Sequence, residues 1–317
     1  MKKKLYFLSF IIGILMVFVV GCSNDSSANS NSADENQTES STQSNEEEQV
    51  IEEEQPEQTD ERIVATTVAI TEFMDVLEID LVGIPSSYKN LPERYADATE
   101  IGNPMWPDME IVMSLQPTNV LSVTTLKEDL ETDFDKINAP ATFLNLESVS
   151  SMLEEIEKLG EQYDRVEKAE QFVNDYKEQM ARVEEKVSGK EKPKVLILMG
   201  IPGSYIVGTE HSYIGDLVKR AGGENAVTDR DEEYISANTE HLQQLEPDVI
   251  LRAAHGAPEE VVKMFDKEFA ENDIWKHFKA VQNDRVYDLE ETRFGTTANL
   301  AAIEALEELI TILHSDL

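Results

Sequence analysis

The chain of 317 residues carries 64 acidic and 27 basic side chains, which gives a net charge of −37 at pH 7. A surface this acidic argues against nucleic acid or an anionic membrane face as the ligand. The one cysteine excludes an intramolecular disulfide, and the length is sufficient for one large core or two smaller ones.

The N-terminal segment has the pattern of an export signal. A basic start over residues 2–4 precedes an apolar run over residues 5–20, which is short for a membrane span. Cys22 then occupies the position at which a bacterial lipoprotein signal carries the residue to be lipidated. We predict a signal peptide over residues 1–21 and a diacyl anchor on Cys22; an uncleaved anchor with an incidental cysteine is the alternative.

A tether is predicted over residues 22–61. After the cysteine it contains thirteen Asp or Glu residues, no Lys or Arg, and many Ser, Asn and Gln residues. Such a segment buries too little apolar surface to fold, and its like charges repel one another. We expect a disordered spacer with a mean reach of about 35 Å or more, which holds the folded part away from the membrane.

Residues 62–163 form the first predicted lobe, in which strands alternate with helices. Alternation of this kind indicates a mainly parallel sheet that is covered on both faces. The predicted strands are residues 62–66, 81–84, 120–124 and 142–146, and helices are predicted over 68–77, around 110 and over 128–137.

One long helix is predicted over residues 164–188. Apolar residues recur at steps of three and four over residues 166–187, which gives a single helical stripe. Asp164 is expected to cap the first turn, with Glu167 returning a bond as in a capping box. At about 1.5 Å per residue this helix would span roughly 35 Å, which is long enough to join two lobes.

Residues 189–317 form the second predicted lobe and repeat the alternation. Strands are predicted over 194–199, 249–252 and 285–289, and helices over 213–221, 258–269 and 298–313. The sequence therefore predicts an α/β fold of two Rossmann-like lobes with mainly parallel sheets, joined by one bridging helix and separated by a cleft.

The two lobes share a short phrase before a strand. It runs Glu, four residues, Leu, one residue, Pro, and it begins at Glu110 in the first lobe and at Glu240 in the second. A shared spacing indicates two lobes of like build. A short helix, a proline and an apolar strand also recur by chance in α/β proteins, so one repeat does not decide the matter.

His255 is the first candidate for a functional residue. Ligand sites in open α/β sheets lie beyond the carboxyl ends of the strands. Of the five histidines, only His255 follows directly on a predicted strand, and its neighbours Ala254 and Gly256 are small enough for an imidazole to stand clear. Position alone does not distinguish a ligand from a packed or solvated histidine.

The loop over residues 101–109 is the second candidate. Two prolines stiffen the backbone around Met105 and Trp106, so the thioether is held in a set direction. The same loop would also serve as a cap over the core. Paired with His255, Met105 would offer one soft and one imidazole ligand from opposite lobes, which is a known way to hold haem iron.

Signatures of enzymes are weak. Ser204 lies in a glycine-rich turn after a strand, but the spacing is not that of a nucleophile elbow and no base is assignable. There is no phosphate-binding glycine loop, no HExxH motif and no catalytic cysteine. The histidine spacings do not suggest zinc or manganese, although ligands also converge from distant positions. We therefore expect that the protein is not an enzyme.

Several features resemble the substrate-binding lipoproteins of ABC importers for iron complexes and vitamin B12. They are the signal ending at Cys22, the single bridging helix and the Leu-x-Pro phrase in each half. More narrowly, the chain resembles the haem-receptor lipoproteins of the Isd iron-regulated surface system over residues 194–205, 212–218, 272–278 and 286–291. The resemblance extends over nearly all of residues 62–313.

The resemblance implies a class III periplasmic-binding-protein fold with haem b (iron protoporphyrin IX) in the interlobe cleft. It implies that Met105 and His255 are the axial iron ligands. Trp106 is the position at which this chain is expected to depart from the family, which would alter how the ring packs beside Met105. A monomeric receptor is implied, lipid-anchored on the extracytoplasmic face of the cell membrane, with a Gram-positive bacterium as the expected source. Its partners would be an ABC permease and upstream cell-surface haem-binding proteins.

Donors are expected for the two haem propionates. Thr66 and Thr67 lie just before a helix N-terminus, where backbone N–H groups favour anions, and Ser87, Tyr88 and Lys89 form the next strand-end turn. We expect these residues to meet the propionates. The two threonines are equally typical of a helix cap.

Two acidic residues are candidates for docking to the permease, because related importers use one acidic residue on each lobe. Glu110 and Glu240 hold equivalent places in the shared phrase. The helix dipole also favours Glu near a helix start, whatever its function. The stiff bridging helix further predicts only small hinge motion on loading.

Two alternative functions remain open from the sequence. A siderophore or cobalamin receptor would have a more open cleft, and Met105 and His255 would be dispensable in it. An extracellular hydrolase would use Ser204 or a bound metal, and it would be sensitive to a serine-directed reagent or to a chelator.

Overall fold

The computed structural model describes residues 61–238, 242 and 244–314. The predicted signal peptide, Cys22 and the tether up to residue 60 lie outside these residues, as does Glu240. Within the described part of the chain, none of the helices has both the length and the apolar character needed to cross a membrane.

The first sheet contains five parallel strands. The elements of this region are β1 (Ile63–Ala65), α1 (Val68–Val76), β2 (Gly83–Ile84), β3 (Thr99–Glu100), β4 (Gly102–Asn103), β5 (Trp106–Pro107), α2 (Met109–Ser114), β6 (Asn119–Val123), α3 (Lys127–Lys136) and β7 (Ala141–Leu144). The strand order is β3-β2-β1-β6-β7, while β4 and β5 form a separate hairpin. The central strand β1 is apolar at every position and fully buried, as expected for a strand covered on both faces.

Two consecutive helices, rather than one, follow the first sheet. They are α4 (Val149–Gln162) and α5 (Val166–Glu184), and a short 3₁₀ turn over Glu185–Val187 extends the second helix. The predicted apolar stripe of α5 is confirmed, with its inner positions buried at Ala169, Val173, Tyr176, Met180 and Val183. Its first residue, Val166, is 41% exposed.

The predicted capping box at Asp164 is wrong because Asp164 belongs to the end of α4. Its φ of 57° is left-handed, and the N–H of Arg165 donates to the carbonyl of Gly160, which closes the last turn of α4. Arg165 is the N-cap of α5, and no side chain donates or accepts a capping bond there. Gly160 is needed at this junction, since a Cβ on it would lie 2.4 Å from that of Ala169.

The second sheet is mixed. Its elements are β8 (Lys194–Ile201), β9 (Ser204–Gly208), α6 (Tyr213–Arg220), β10 (Glu224–Asn225), β11 (Tyr234–Ser236), β12 (Val249–Ala254), β13 (Val286–Leu289) and the helices Pro258–Glu271, Lys279–Gln282 and Ala302–Leu313. The main strand order is β11-β9-β8-β12-β13, in which β8, β12 and β13 are parallel and β9 is antiparallel to both neighbours. The alternation of strands and helices in the sequence predicted the parallel strands of this sheet, but it did not predict the antiparallel strand β9.

The described end of the shared phrase, from the residue before the proline onward, has the same backbone structure in both lobes. Gln116 and Glu246, which stand between Leu and Pro in the two copies, have left-handed φ values of 47° and 41°. One residue after the proline, the N–H of Thr118 donates to the carbonyl of Arg62 at 2.9 Å, and that of Asp248 donates to the carbonyl of Lys194 at 2.8 Å. Both sheets therefore begin their central strand pair in the same way.

The two sheets share buried apolar packing through the helices between them. One continuous cluster includes Phe73 of α1, Tyr176 of α5, Tyr213 of α6 and Leu306 of the C-terminal helix, all of them buried. Tyr176 also donates from its hydroxyl to the carbonyl of Leu300 at 3.0 Å. The bridging helix is thus packed against the second lobe as well as covalently linked to it.

Candidate functional site

Met105 lies at the tip of the β4–β5 hairpin. The sequence suggested an irregular loop here, but residues 102–103 pair antiparallel with residues 106–107. The side-chain oxygen of Asn103 accepts from the N–H of Met105 at 2.9 Å, which fixes the turn. Met105 is 38% exposed and Trp106 is 72% exposed, so the hairpin presents a thioether and an indole ring to solvent.

His255 follows the last residue of β12. Its own N–H donates to the carbonyl of Gly200 at 2.8 Å, so its backbone continues the hydrogen bonding between β12 and β8. The next residues, Gly256 and Ala257, have left-handed φ values of 68° and 45° and turn the chain away from the sheet. The imidazole therefore stands at the carboxyl end of a buried strand, as the sequence predicted.

The imidazole of His255 has one buried and one accessible nitrogen. Nδ1 is buried and lacks a hydrogen-bond partner, while the side chain as a whole is 37% exposed. Burial lowers the pKa of His255 below its usual value, and Lys89 lowers it further while Glu291 opposes both effects. At neutral pH the ring is therefore mainly neutral, with Nε2 as the nitrogen that remains accessible.

Glu291 lies beside His255 and connects the two lobes. Its Oε1 accepts from the N–H of Gly256 at 3.0 Å and lies 3.6 Å from Nδ1 of His255, which is beyond hydrogen-bond distance. Its Oε2 accepts a short hydrogen bond from the hydroxyl of Tyr88 in the first lobe. The Lys89 ammonium donates to the Glu291 main-chain carbonyl at 3.4 Å. This carboxylate, hydrogen-bonded from both lobes, is buried.

The Tyr88 loop is also tied to the Met105 hairpin. The N–H of Ser86 donates to the carbonyl of Gly102 at 2.9 Å, which lies in β4. A series of hydrogen bonds and chain segments therefore runs from the hairpin of Met105 through Tyr88 and Glu291 to His255. The structure therefore ties the hairpin that carries Met105 to the Tyr88 loop, and Tyr88 to the glutamate beside His255.

The five residues predicted to meet propionates lie in different environments. Thr66 is fully buried, and its hydroxyl donates to that of Ser122 at 3.0 Å. Thr67 is the N-cap of α1, where its hydroxyl accepts from the N–H of Ile70 at 3.4 Å. Thr66 therefore exposes no surface to a ligand, whereas Thr67 lies at a helix N-terminus.

The turn that carries Tyr88 is accessible. Ser87 and Tyr88 are exposed and Lys89 is half-buried. The hydroxyl of Ser87 accepts from the N–H of Lys89 at 2.9 Å, which orders the turn. Burial raises the pKa of Tyr88, and its bond to Glu291 raises it further, so the phenol remains a hydrogen-bond donor at neutral pH.

The other candidates lie outside this network. Glu110 is exposed in the first turn of α2, and both Glu240 and Cys22 lie outside the described residues. Ser204 is exposed at the start of β9, in the turn between two strands. Over residues 61–238, 242 and 244–314, no group of three His, Cys, Asp or Glu side chains is arranged to hold a metal ion.

Sequence reasoning did not assign a role to Glu291. The residue follows β13, so the same strand-end rule that selected His255 would have included it. Its role depends on Tyr88, which is 203 residues away in the sequence, and no local pattern reports such a contact.

The chain matches a known family over most of its length. The family described as "Periplasmic binding protein" matches residues 63–292. The high-affinity heme uptake system protein IsdE of Staphylococcus aureus (strain bovine RF122 / ET3-1) is 51% identical over 256 residues, which cover 80% of this chain and 88% of that protein.

Two solved structures combine high identity with a similar fold. An ABC transporter substrate-binding protein from Listeria monocytogenes EGD-e is 57% identical with a TM-score of 0.77, covering 80% of this chain and 99% of that one. S. aureus IsdE complexed with heme is 50% identical with a TM-score of 0.77, covering 80% of this chain and 98% of that one.

Proposed function

Because the chain belongs to the periplasmic binding protein family, we propose that it is the haem-binding component of an ABC importer and that it serves iron uptake. The relative from Listeria monocytogenes is an ABC transporter substrate-binding protein, and S. aureus IsdE belongs to a heme uptake system, so we infer that this chain binds its cargo without transforming it. The observation that carries the proposal is that Tyr88 of the first lobe and His255 of the second both lie against Glu291, while the Tyr88 loop is bonded to the hairpin that carries Met105.

We propose Met105 and His255 as the two axial ligands of haem iron. A thioether and a neutral imidazole are suitable ligands for this iron, and the lowered pKa of His255 supports the neutral form at physiological pH. The accessible nitrogen of His255 and the 38% exposure of Met105 leave both side chains able to reach a ligand. The strand-end position of His255 matches the usual place of ligand sites in open α/β sheets.

The remaining contacts divide between the porphyrin ring and its two carboxylates. We propose that Trp106, which is exposed beside Met105, covers part of the apolar ring. Ser87, Tyr88, Lys89 and the helix N-terminus at Thr67 would donate to the propionates, since each offers a donor near the network. Thr66 is left out of this site because its side chain is buried against Ser122.

The protein is proposed to work at the outer face of the cell membrane. A lipid on Cys22 would anchor it, the acidic segment that follows would act as a spacer, and a monomer would carry the haem. Delivery to the permease would use Glu110 and Glu240, which have equivalent positions in the two copies of the shared phrase. Cell-surface haem-binding proteins would supply the cargo.

An absorbance titration with haemin tests the proposal. The full-length protein in detergent micelles is titrated beside Met105→Ala and His255→Ala. We expect a saturable six-coordinate Soret band at one haem per chain, and we expect each substitution to change that band. The matched controls are Met113→Ala, on α2 with a side chain that is also exposed, and His211→Ala, in an exposed turn.

Two outcomes would contradict parts of the proposal. Absence of a saturable band would reject haem as cargo, and siderophores and cobalamin would then be titrated in the same way. A normal band that is unchanged in both variants would retain haem but reject Met105 and His255 as its ligands.

A further inference from the structure

The side chain of Glu291 accepts hydrogen bonds from two residues other than His255. Its two oxygens are engaged with different lobes, because Oε1 accepts from Gly256 of the second lobe while Oε2 accepts from Tyr88 of the first. Its side chain is only 10% exposed. The carboxylate is therefore held in place by one bond from each side.

The neighbouring Nδ1 of His255 is left without a partner. It is buried and lies 3.6 Å from Oε1 of Glu291, a few tenths of an ångström beyond hydrogen-bond distance. Buried polar atoms without partners are uncommon in native structures, because they have lost their bonds to water. Rotation of the carboxylate toward Nδ1 is opposed by the bonds that Glu291 accepts from Tyr88 and from Gly256.

Tyr88 is the partner that is able to leave. Its residue is 67% exposed, in contrast to the buried Glu291, and its loop lies among the proposed propionate donors. A phenol that donates to one carboxylate donates equally well to another. An incoming propionate would therefore compete with Glu291 for the same hydroxyl proton.

We propose that Glu291 is a positioning residue shared between Tyr88 and His255. When a haem propionate takes the hydroxyl of Tyr88, the carboxylate of Glu291 turns and accepts from Nδ1–H of His255. Hydrogen bonding at Nδ1 fixes the ring orientation and makes Nε2 a better iron ligand. Binding of a propionate to Tyr88 would thus strengthen the bond between Nε2 of His255 and the haem iron. This inference rests on the proposed function.

The test reads the state of His255 directly by nitrogen NMR of its side chain in the full-length protein. In the haem-free wild type we expect Nδ1 to show no hydrogen bond. In haem-free Tyr88→Phe we expect Nδ1 to be hydrogen-bonded, because Oε2 of Glu291 has been released. Adding Glu291→Gln to Tyr88→Phe should weaken this signature, since an amide oxygen is a poorer acceptor than a carboxylate.

Tyr205→Phe is the matched control. Tyr205 also donates from a phenol to a glutamate, Glu268, at 3.2 Å, but both residues lie in the second lobe. This substitution should leave the His255 signal unchanged. A loss of stability alone would affect both tyrosine variants, whereas the proposed exchange affects only Tyr88→Phe.

Haem release provides the second measurement. We expect Glu291→Gln to speed the transfer of haem to a scavenging protein about 10- to 100-fold, as removal of an outer-shell partner of a metal ligand commonly does. An unchanged His255 signal in haem-free Tyr88→Phe would overturn the exchange. Since that measurement needs no haem, it decides the exchange even if the haemin titration rejects the proposed cargo.

Discussion

The two lobes are built alike at one end of their central strands and differently at the other. At the amino ends, Arg62 pairs with Thr118 just as Lys194 pairs with Asp248. At the carboxyl ends, the first lobe has a buried hydroxyl pair, Thr66 with Ser122, whereas the second lobe carries His255 beyond its last ladder residue. The part that the two lobes share is therefore expected to be scaffold, and the proposed ligand His255 lies at the end where the lobes differ.

The candidate ligands differ in the same way as the lobes that carry them. The backbone of His255 is held by a strand and its side chain lies beside the buried Glu291, so the fold fixes the point from which the imidazole projects. Met105 stands at the tip of a two-stranded hairpin with 38% of its surface exposed. Under the proposed ligation, the histidine would be the better positioned ligand, and the flexible side chain of Met105 would adapt to it.

The largest expected effect concerns this difference in rigidity. We expect His255→Ala to weaken haem binding by roughly 100-fold or more, and Met105→Ala by only about tenfold, because a fixed imidazole contributes more to preorganisation than an adaptable thioether. Competition with a haem-binding protein of known affinity measures both values. Equal losses in the two variants would contradict the proposed division between fixed and adaptable ligands.

The next effect tests the contacts that join the lobes. Arg220 of α6 donates to Glu184 of α5 at 2.7 Å, to Asp216 at 2.9 Å and to Ser150 of α4 at 2.8 Å. We expect Arg220→Ala to lower the free energy of unfolding by about 2 to 3 kcal/mol, because two carboxylates in a partly buried site lose their partner. Urea unfolding measures the change. Arg182→Ala, on the exposed side of α5, is the control and should have little effect.

A smaller effect is expected at the ends where the lobes agree. The side chain of Thr118 accepts from the N–H of Arg62 at 3.0 Å, and that of Asp248 accepts from the N–H of Lys194 at 2.9 Å. We expect Thr118→Ala and Asp248→Ala each to cost about 0.5 to 1.5 kcal/mol of stability, with haem affinity unchanged. Thr118→Ser and Asp248→Asn keep an acceptor and serve as controls. A marked loss of affinity would show that these ends are more than scaffold.

The smallest effect is a pH dependence that involves both lobes. Burial raises the pKa of Glu233 to about 7, and Glu147 of the first lobe adds to the rise. Because the folded state holds this proton more tightly than the unfolded state, stability should fall as the pH rises from about 4.5 through 7.

Substitution of Glu233 isolates this contribution. Glu233→Gln should raise the urea midpoint at pH 8 and leave it unchanged well below pH 4.5, where the carboxyl is protonated in both states. The exposed neighbour Glu232 provides the control, because Glu232→Gln should not change the pH profile. Parallel profiles for Glu233→Gln and the wild type would contradict the assignment.

The parts of the fold that follow from local patterns could be predicted from the sequence. Helix α5 could be predicted because its apolar residues recur with a helical period. The buried strand β12 could be predicted from its own apolar residues. The same strand-end rule pointed to His255, and two prolines drew attention to Met105.

Features that depend on distant contacts could not be predicted in this way. Helix α4 was missed, and Asp164 was read as the start of the next helix, because an aspartate near a helix end favours either interpretation until φ is known. The burial of Thr66 could not be predicted either, since its hydrogen-bond partner Ser122 belongs to another strand. The link from Tyr88 to Glu291 depends on the approach of two lobes, which local sequence does not encode.

The backbone bond from His255 to Gly200 has a consequence for the timing of release. The backbone N–H of His255 continues the β8–β12 hydrogen bonding, with its nitrogen 2.8 Å from the carbonyl oxygen of Gly200. The backbone of His255 cannot move away from β8 unless this hydrogen bond breaks. Exchange of that single proton with deuterated solvent therefore records how often the end of the strand comes apart. When every opening leads to exchange, the exchange rate equals the opening rate, and haem release that requires movement of this backbone is no faster than that.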